Sequence, residues 1–299
     1  MAKFSDIQGL IISETDAFAK GLEKTGTFAF RLAKRRISDD MDVNFPTASD
    51  APHLIRSEKN ESLASDISTN LLNAMFTGSF NDRLNKFASV PVEINKRTLQ
   101  YYLDNFGEPP SEVVRNASIQ ASNCIQIINN AMNESALFDK IFTPAVNAMY
   151  GHIAQGSTIN ATLKDMETRI SDRFDNYLRP LGRSLLQTCA RELNNMYANN
   201  FDLVWVSYRR RSSDADRREF CVAHESRLGN NPTHYHINEV KQEWPTFEGG
   251  DWSGAISGTG SQTILSYAGG YNCLHYFQYA KASNVSNADK ARARSKGFI

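Results

Sequence analysis

The stretch GSTINATLKDMETRISDRFDNYL, residues 156–178, carries the clearest periodicity in the chain and decides the fold class. Its apolar residues Ile159, Leu163, Met166, Ile170, Phe174 and Leu178 step by four, three, four, four and four. That spacing lines them along one stripe of an α-helix. Ser157 or Thr158, after Gly156, can cap its start, and Pro180 with Gly182 is expected to end it. A second apolar face over 183–198 holds Leu186, Cys189, Leu193 and Tyr197. Two helices joined by so short a link predict a helical hairpin over 157–198.

Toward the N-terminus the pattern stays helical. Residues 4–36 read as one amphipathic helix through Phe4, Ile7, Ile11, Phe18, Leu22, Phe30 and Ala33, with a break expected at Gly26. The basic run Lys34-Arg35-Arg36 falls at its expected C-terminal end, where cations oppose the helix dipole. From Ser38 to Pro52 the composition turns to Asp, Pro, Ser and Thr, the signature of a surface loop. Helical pieces are expected again over 61–88, with an interruption near Gly78, over 95–106 and over 111–131. Pro91 reads as the start of a brief extended piece, and Gly107 with Pro109-Pro110 as a stop.

Toward the C-terminus the pattern changes. Phe201 to Tyr208, with Val204, Trp205 and Val206, is β-branched and aromatic and of strand length. It runs into Arg209, Arg210 and Arg211, with Arg217 and Arg218 close behind. These arginines suit either phosphate contacts or pairing with Asp214, Asp216 and Glu219, within the chain or across a subunit contact. Glycines at 249, 250, 254, 258, 260, 269 and 270 then punctuate short strands and loops. The expected fold class is α+β, mostly α. A helical region over 1–150 precedes a domain over 151–285, built of the hairpin and a Gly- and aromatic-rich α+β cap over 200–285. A basic, mobile tail over 286–299 completes it.

The cap holds the chemistry-bearing residues. Cys221, His224, His234, His236, Cys273 and His275 place four of the six histidines and two of the four cysteines in one short segment. Such a set can share a metal, form a buried polar cross-link or pack as small hydrophobes and aromatics. Tetrahedral zinc needs four donors at about 2.0–2.3 Å, and the Cys221-x2-His224, His234-x-His236 and Cys273-x-His275 spacings offer six. Cys221 with His224 and Glu225 could mimic a thiol–imidazole pair, but no oxyanion-hole motif stands beside it. The glycine-rich run contains no GxxxxGK[ST] phosphate cradle.

Bulk properties narrow the classes. The 299 residues carry 33 Lys and Arg against 33 Asp and Glu, which argues against nucleic-acid binding over the whole surface while allowing a local basic patch. No apolar run reaches the roughly 20 residues that span a bilayer. The N-terminus lacks the apolar core of a secretory signal, so synthesis in the cytoplasm is expected. Four cysteines without a regular framework read as reduced thiols or core residues, with a Cys221–Cys273 disulfide left open for a protein that ends up outside a cell.

One resemblance joins these pieces. Gly156-Ser157 with its amphipathic helix, Ala190-Arg191-Glu192, the strand Leu203-Val204-Trp205-Val206-Ser207, an Arg- and Asp-rich turn, Cys221 with Gly229 downstream, and Gly270-Tyr271-Asn272-Cys273 stand in a specific order. That order resembles the C-terminal domain of phage head morphogenesis proteins, the minor head proteins typified by the F protein of phage Mu, over about residues 150–280. The family usually closes with Asn-Cys-Arg-Cys where this chain has Asn272-Cys273-Leu274-His275, and Arg191 replaces a common Thr. The resemblance implies a non-enzymatic virion protein, made in the host cytoplasm, that self-associates and contacts portal or major capsid subunits and packaged DNA, without a membrane. The alternative is a zinc-binding, DNA-associated protein or nuclease with the cap as its active module.

Overall fold

The computed structural model describes residues 3–47, 50–210, 218–271 and 273–299. The protein is mostly helical with a small antiparallel sheet, an α+β arrangement dominated by helices. In chain order it runs α1 Phe4–Asp40, β1 Val43–Asn44, β2 His53–Leu54, α2 Glu58–Met75, α3 Gly78–Ala88, α4 Val90–Asn105 and α5 Ser111–Ala131. Next come α6 Glu134–Ile141, α7 Thr143–Gln155, α8 Ile159–Arg173, a π turn Phe174–Leu178 and α9 Arg179–Asn200. The cap follows with β3 Trp205–Arg209, α10 Glu219–His224, β4 Tyr235–His236, α11 Ile237–Glu243, α12 Ile264–Tyr267, β5 Tyr276–Ala280 and α13 Asn287–Ser295.

Packing gathers the chain into two compact units that are not its sequential halves. One unit joins the chain up to Ser13 with Ala88–Ile127 and Leu181–Ile299; the other joins Glu14–Phe87 with Ile128–Pro180. The boundaries expected near 150 and 285 therefore do not coincide with them.

The second unit is built of helices and one short antiparallel pair, β1 with β2. Its most regular pairing is α7 against α8, and Gly156 makes the turn between them at φ +66°, a left-handed conformation that favours glycine. Thr158 caps α8 by accepting a bond from the Ala161 amide at 3.2 Å. The expected hairpin over 157–198 does not form. Helical bonding continues through the π turn, where the Arg179 amide bonds to the Phe174 carbonyl, into α9 with no loop between. Pro180 is accommodated inside this continuous run by the π turn ahead of it, which interrupts the regular α-helical ladder just where the proline N–H is missing. Gly26 does not break α1. A Cβ there would stand 2.9 Å from the buried Phe174 ring, so the glycine allows a close approach. Because α1 runs on to Asp40, Lys34, Arg35 and Arg36 lie before its last turn, and Arg36 pairs with Asp40 at 3.1 Å. The loop after α1 is fastened by the buried Asn60 amide, which bonds the carbonyls of Asp42 (2.9 Å) and Ile55 (2.7 Å) and the Asp42 amide (2.7 Å).

The first unit carries the three-stranded sheet, in the order β4-β3-β5 and antiparallel throughout. Pro91 begins no extended piece; it sits in the first turn of α4. Near the C-terminal end of α4, Tyr102 is stacked on Tyr197 and Phe201 with ring centroids 5.4 and 5.7 Å away. Its hydroxyl donates toward Asn194 Oδ1 at 2.9 Å. The basic tail is folded. Ser286 caps α13 by accepting from the Asp289 amide at 3.0 Å, Ala293 and Phe298 pack with Trp205 and Val285, and Arg292 pairs with the buried Glu239. Among the described residues no helix is long and apolar enough to cross a membrane.

Candidate metal centre

Strand alternation builds the site. Along β3, Val206 and Tyr208 point to one face of the sheet and Trp205, Ser207 and Arg209 to the other; on β5, Phe277 and Tyr279 share the first face. His275, one residue before β5, keeps the same parity and stacks on Tyr208 with centroids 4.7 Å apart. Cys273 lies two residues earlier, and its Sγ is 3.6 Å from His275 Nδ1. The single-turn helix α10 brings Cys221 to the same place, Sγ to Sγ 3.9 Å from Cys273. The Tyr208 hydroxyl sits 3.3 Å from Cys273 Sγ.

Three of the six sequence candidates thus converge, with donor atoms all within 4.8 Å of one another, and each of the three is at most 6% exposed. A tetrahedral ion with bonds of about 2.3 Å to sulfur and 2.0–2.1 Å to nitrogen has S···S and S···N edges of about 3.8 and 3.5 Å. The observed 3.9 and 3.6 Å match these edges. On the far side of the imidazole, Nε2 lies 3.1 Å from Glu225 Oε2, the carboxylate–histidine arrangement that fixes the ring of a metal ligand. Two of the three edges therefore fit a zinc-sized ion; the third, between Cys221 and His275, lies within 4.8 Å, and the Tyr208 hydroxyl is the next polar group.

The other three histidines are elsewhere. His224 bonds the Phe220 carbonyl through Nδ1 at 2.8 Å and packs among Phe220, Trp244 and Phe247. His236 caps α11, its Nδ1 accepting from the Asn238 amide at 3.3 Å, and sits edge-on to Trp205. His234 lies 3.8 Å from Asp289. The arginines also disperse: Arg218 turns inward and donates to the Gly269 carbonyl at 2.6 Å, Arg209 lies on the opposite sheet face, and Arg210 is half-buried beyond the strand. Arg211 and Arg217 lie outside the described residues.

A buried scaffold holds the donors. Gln187, Arg191 and Asn194 form a polar stripe on α9 at spacings of four and three. Gln187 Nε2 and Arg191 Nη2 donate to the His275 carbonyl at 2.9 and 2.6 Å, and Asn194 Nδ2 to the Phe277 carbonyl at 2.8 Å. Arg191 Nη1 also reaches the Ser266 carbonyl at 3.1 Å. This stripe bonds carbonyls at the entry and outer edge of β5, which among the described residues has no strand beyond it. Gly269, at φ +78°, lies so close that a Cβ would stand 2.2 Å from Cys273 Sγ and 2.4 Å from the Tyr208 hydroxyl. Only glycine fits there.

The electrostatics favour one thiolate. Burial pushes the Cys273 thiol up, but bonds from Cys221 and His275 and the Arg191 charge outweigh it and hold Cys273 well below the usual thiol range. Cys221, sharing that bond, is pushed up. Cys273 beside the buried guanidinium is thus favoured as the thiolate that a metal ligand must be, while Cys221 would have to release its proton as an ion bound.

Three histidines make the cap acid-sensitive. Burial holds His224, His234 and His236 below the ordinary value. The unfolded chain protonates them first, near pH 6.5, so their contribution is complete above that pH and is lost as pH falls toward the folded values. The melting midpoint of EDTA-treated protein is expected to fall between pH 7.5 and 5.5, and to fall less in His224→Phe. Equal midpoints at the two pH values would contradict this.

Comparisons with protein-family models, with curated proteins and with solved structures return no match. The likeness to phage head morphogenesis proteins rests on the ordered motifs of the sequence.

Sequence reasoning missed Arg191, Gln187 and Gly269 as parts of this centre. The first two carried a readable signal, because a Gln-Arg-Asn stripe beside the apolar face of Leu186, Cys189, Leu193 and Tyr197 asks for buried acceptors. For Gly269 the signal was only its pairing with Gly270.

Proposed function

We propose that the protein is a structural, non-enzymatic component of a phage particle, acting in head assembly through portal or capsid contacts, with a cap stiffened by a zinc ion on Cys221, Cys273 and His275. The observation that carries this reading is the closure of the cluster. Its donors are buried, the Tyr208 hydroxyl and the Gly269 backbone fill the space beside them, and α9 clamps the strand they stand on. A reaction centre needs a path for substrate to its metal, and the burial of all three donors supports a cross-link instead. Zinc would supply a redox-inert joint between α10 and the entry to β5.

Surface for subunit contacts is available on the helices. Phe28 and Leu32 on α1 and Ile119 and Ile127 on α5 are exposed apolar side chains, the kind of residue that such contacts cover. The order of motifs over residues 150–280 supports the phage assignment.

The Cys273–His275–Glu225 relay favours a second reading, since a thiolate, an imidazole and a carboxylate in line can form a nucleophile and its base. Locating the protein in purified particles by cryo-electron microscopy, alongside a DNA-hydrolysis assay with zinc-loaded protein, separates the two. Ordered density at the portal or capsid and no turnover is the expected result. Absence from particles, with turnover abolished in Cys273→Ser, would replace the structural reading with the enzymatic one.

A further inference from the structure

The sheet face opposite the sulfur cluster carries different chemistry. Alternation puts Ser207 and Arg209 of β3 beside Tyr276 and Gln278 of β5 on that face, with Gln278 opposite Ser207 and Tyr276 opposite Arg209. Two adjoining cavities of 270 and 360 Å³ open there and share Tyr101, Asn105, Arg209 and Gln278. Lys281 and His234 line the first and Lys3 the second. Among the described residues neither lining contains an Asp or Glu, in a chain whose acidic and basic residues are equal in number.

Among the described residues no carboxylate pairs with the cations of this groove. Among the described residues Arg209 makes no ion pair, and neither does Lys281, whose ammonium lies over the Phe106 ring at 5.6 Å, or Lys3. The carboxylate beside His234, that of Asp289, is buried and occupied by the Ser286 hydroxyl at 2.9 Å and the His234 amide at 3.2 Å. Polar neutral groups complete the lining: the Asn105 and Gln278 amides and the hydroxyls of Ser207 and Tyr101. The aromatic rings behind Arg209 are mutually packed, Phe4 against both Tyr101 and Tyr276, so they form a floor and are not free to stack on a base. A cationic groove with a fork-shaped guanidinium at its centre and ammonium groups toward each end suits tetrahedral oxyanions spaced along a chain.

We infer that the groove between α4 and the β3–β5 face is a phosphate-binding site, with Arg209 as the central ligand and Lys281 and Lys3 as flanking contacts. The phosphates come from a nucleic-acid strand or from free phosphate, and the groove recognises the chemistry common to both. The inference does not rest on the assembly role. A protein absent from particles that still binds phosphate at Arg209 keeps this site and loses that role, and the converse separates them equally.

The test uses the full chain and three probes: a labelled single-stranded oligothymidylate, the corresponding duplex and inorganic phosphate. Oligonucleotide affinity is read by fluorescence anisotropy across a salt series, and inorganic phosphate by its shift of the melting curve. Wild type is compared with Arg209→Gln, with Lys281→Gln, which alters an exposed side chain and spares the fold, and with the double variant. If a strand is the source, the double variant binds about tenfold or more weakly, as expected on losing charge-assisted bonds. Its log–log salt slope then flattens by about 1.4, at roughly 0.7 for each single-strand phosphate that is no longer neutralised. If free phosphate is the source, only inorganic phosphate raises the wild-type melting temperature, and Lys281→Gln and the double variant lose that shift. Either result supports the site. Binding of no probe by wild type, or equal binding by wild type and Lys281→Gln with an unchanged salt slope, overturns it.

Discussion

Replacing Cys273 with serine lowers the melting temperature of the zinc-loaded protein by several degrees and removes its response to chelator. Cys273 touches everything in the cluster: Cys221 at 3.9 Å, His275 Nδ1 at 3.6 Å and the Tyr208 hydroxyl at 3.3 Å. Serine is nearly isosteric, so little packing is lost, but its hydroxyl is a hard, high-pKa oxygen in place of a soft thiolate. The ion then loses a corner, and the binding energy that favours the folded cap over the unfolded chain is lost with it. At roughly 2–4 °C per kcal/mol for a domain of 150–250 residues, a loss of about 2 kcal/mol gives a drop of about 4–8 °C. The control is wild type in EDTA, which should melt close to the untreated variant. If Cys273→Ser and wild type melt together, and chelator changes neither, the cluster contributes ordinary packing and nothing more.

A larger loss is expected on replacing Arg191 with methionine. Arg191 is 1% exposed and among the described residues has no carboxylate partner. Its guanidinium bonds the carbonyls of His275 and Ser266 at 2.6 and 3.1 Å. Methionine fills most of the volume but donates nothing, so the half-buried Ser266 carbonyl loses this donor, at about 1–3 kcal/mol, and the His275 carbonyl keeps only Gln187. The counter-charge to the Cys273 thiolate also disappears. We expect about 3–5 kcal/mol in total, a large fraction of the roughly 5–15 kcal/mol that holds a domain folded. Arg191→Lys should recover only part of this, since an ammonium cannot reproduce the two-armed contact. Urea denaturation of the full chain measures it, and a change below about 1 kcal/mol for Arg191→Met would show that the clamp is dispensable.

The two substitutions mark where the sequence was legible. The stripe from Ile159 to Leu178 and the cap at Thr158 follow from local rules, and both appear in the structure. The grouping of Cys273 with His275 was accessible from two-residue spacing, and the strand at Trp205–Arg209 from its β-branched and aromatic run. The failures are tertiary. Pro180 reads as a stop, yet the helix runs on through it because a π turn just ahead absorbs the irregularity. Gly26 reads as a break because the Phe174 ring it accommodates is far away in sequence. Arg191 stands in a helix whose strand partner begins more than eighty residues later, so spacing within α9 could show a polar stripe but not what it binds. His224, three residues after Cys221, has a metal-ligand spacing, but its ring is engaged by the Phe220 carbonyl and by Trp244.

The same strands serve two purposes by alternation. Tyr208 faces the sulfur cluster and Arg209, the next residue, faces the cationic groove. A substitution on one face should therefore leave the other's readout intact, provided the sheet stays folded.

X-ray absorption at the zinc edge, on protein purified without chelator, tests the central claim most directly. The account predicts about one zinc per chain, with two sulfur neighbours at about 2.3 Å and an imidazole nitrogen at about 2.0–2.1 Å, and the sulfur shell reduced to one in Cys221→Ser. Purified protein that contains no zinc and takes up none, with both thiols free to react in the folded state, would contradict it.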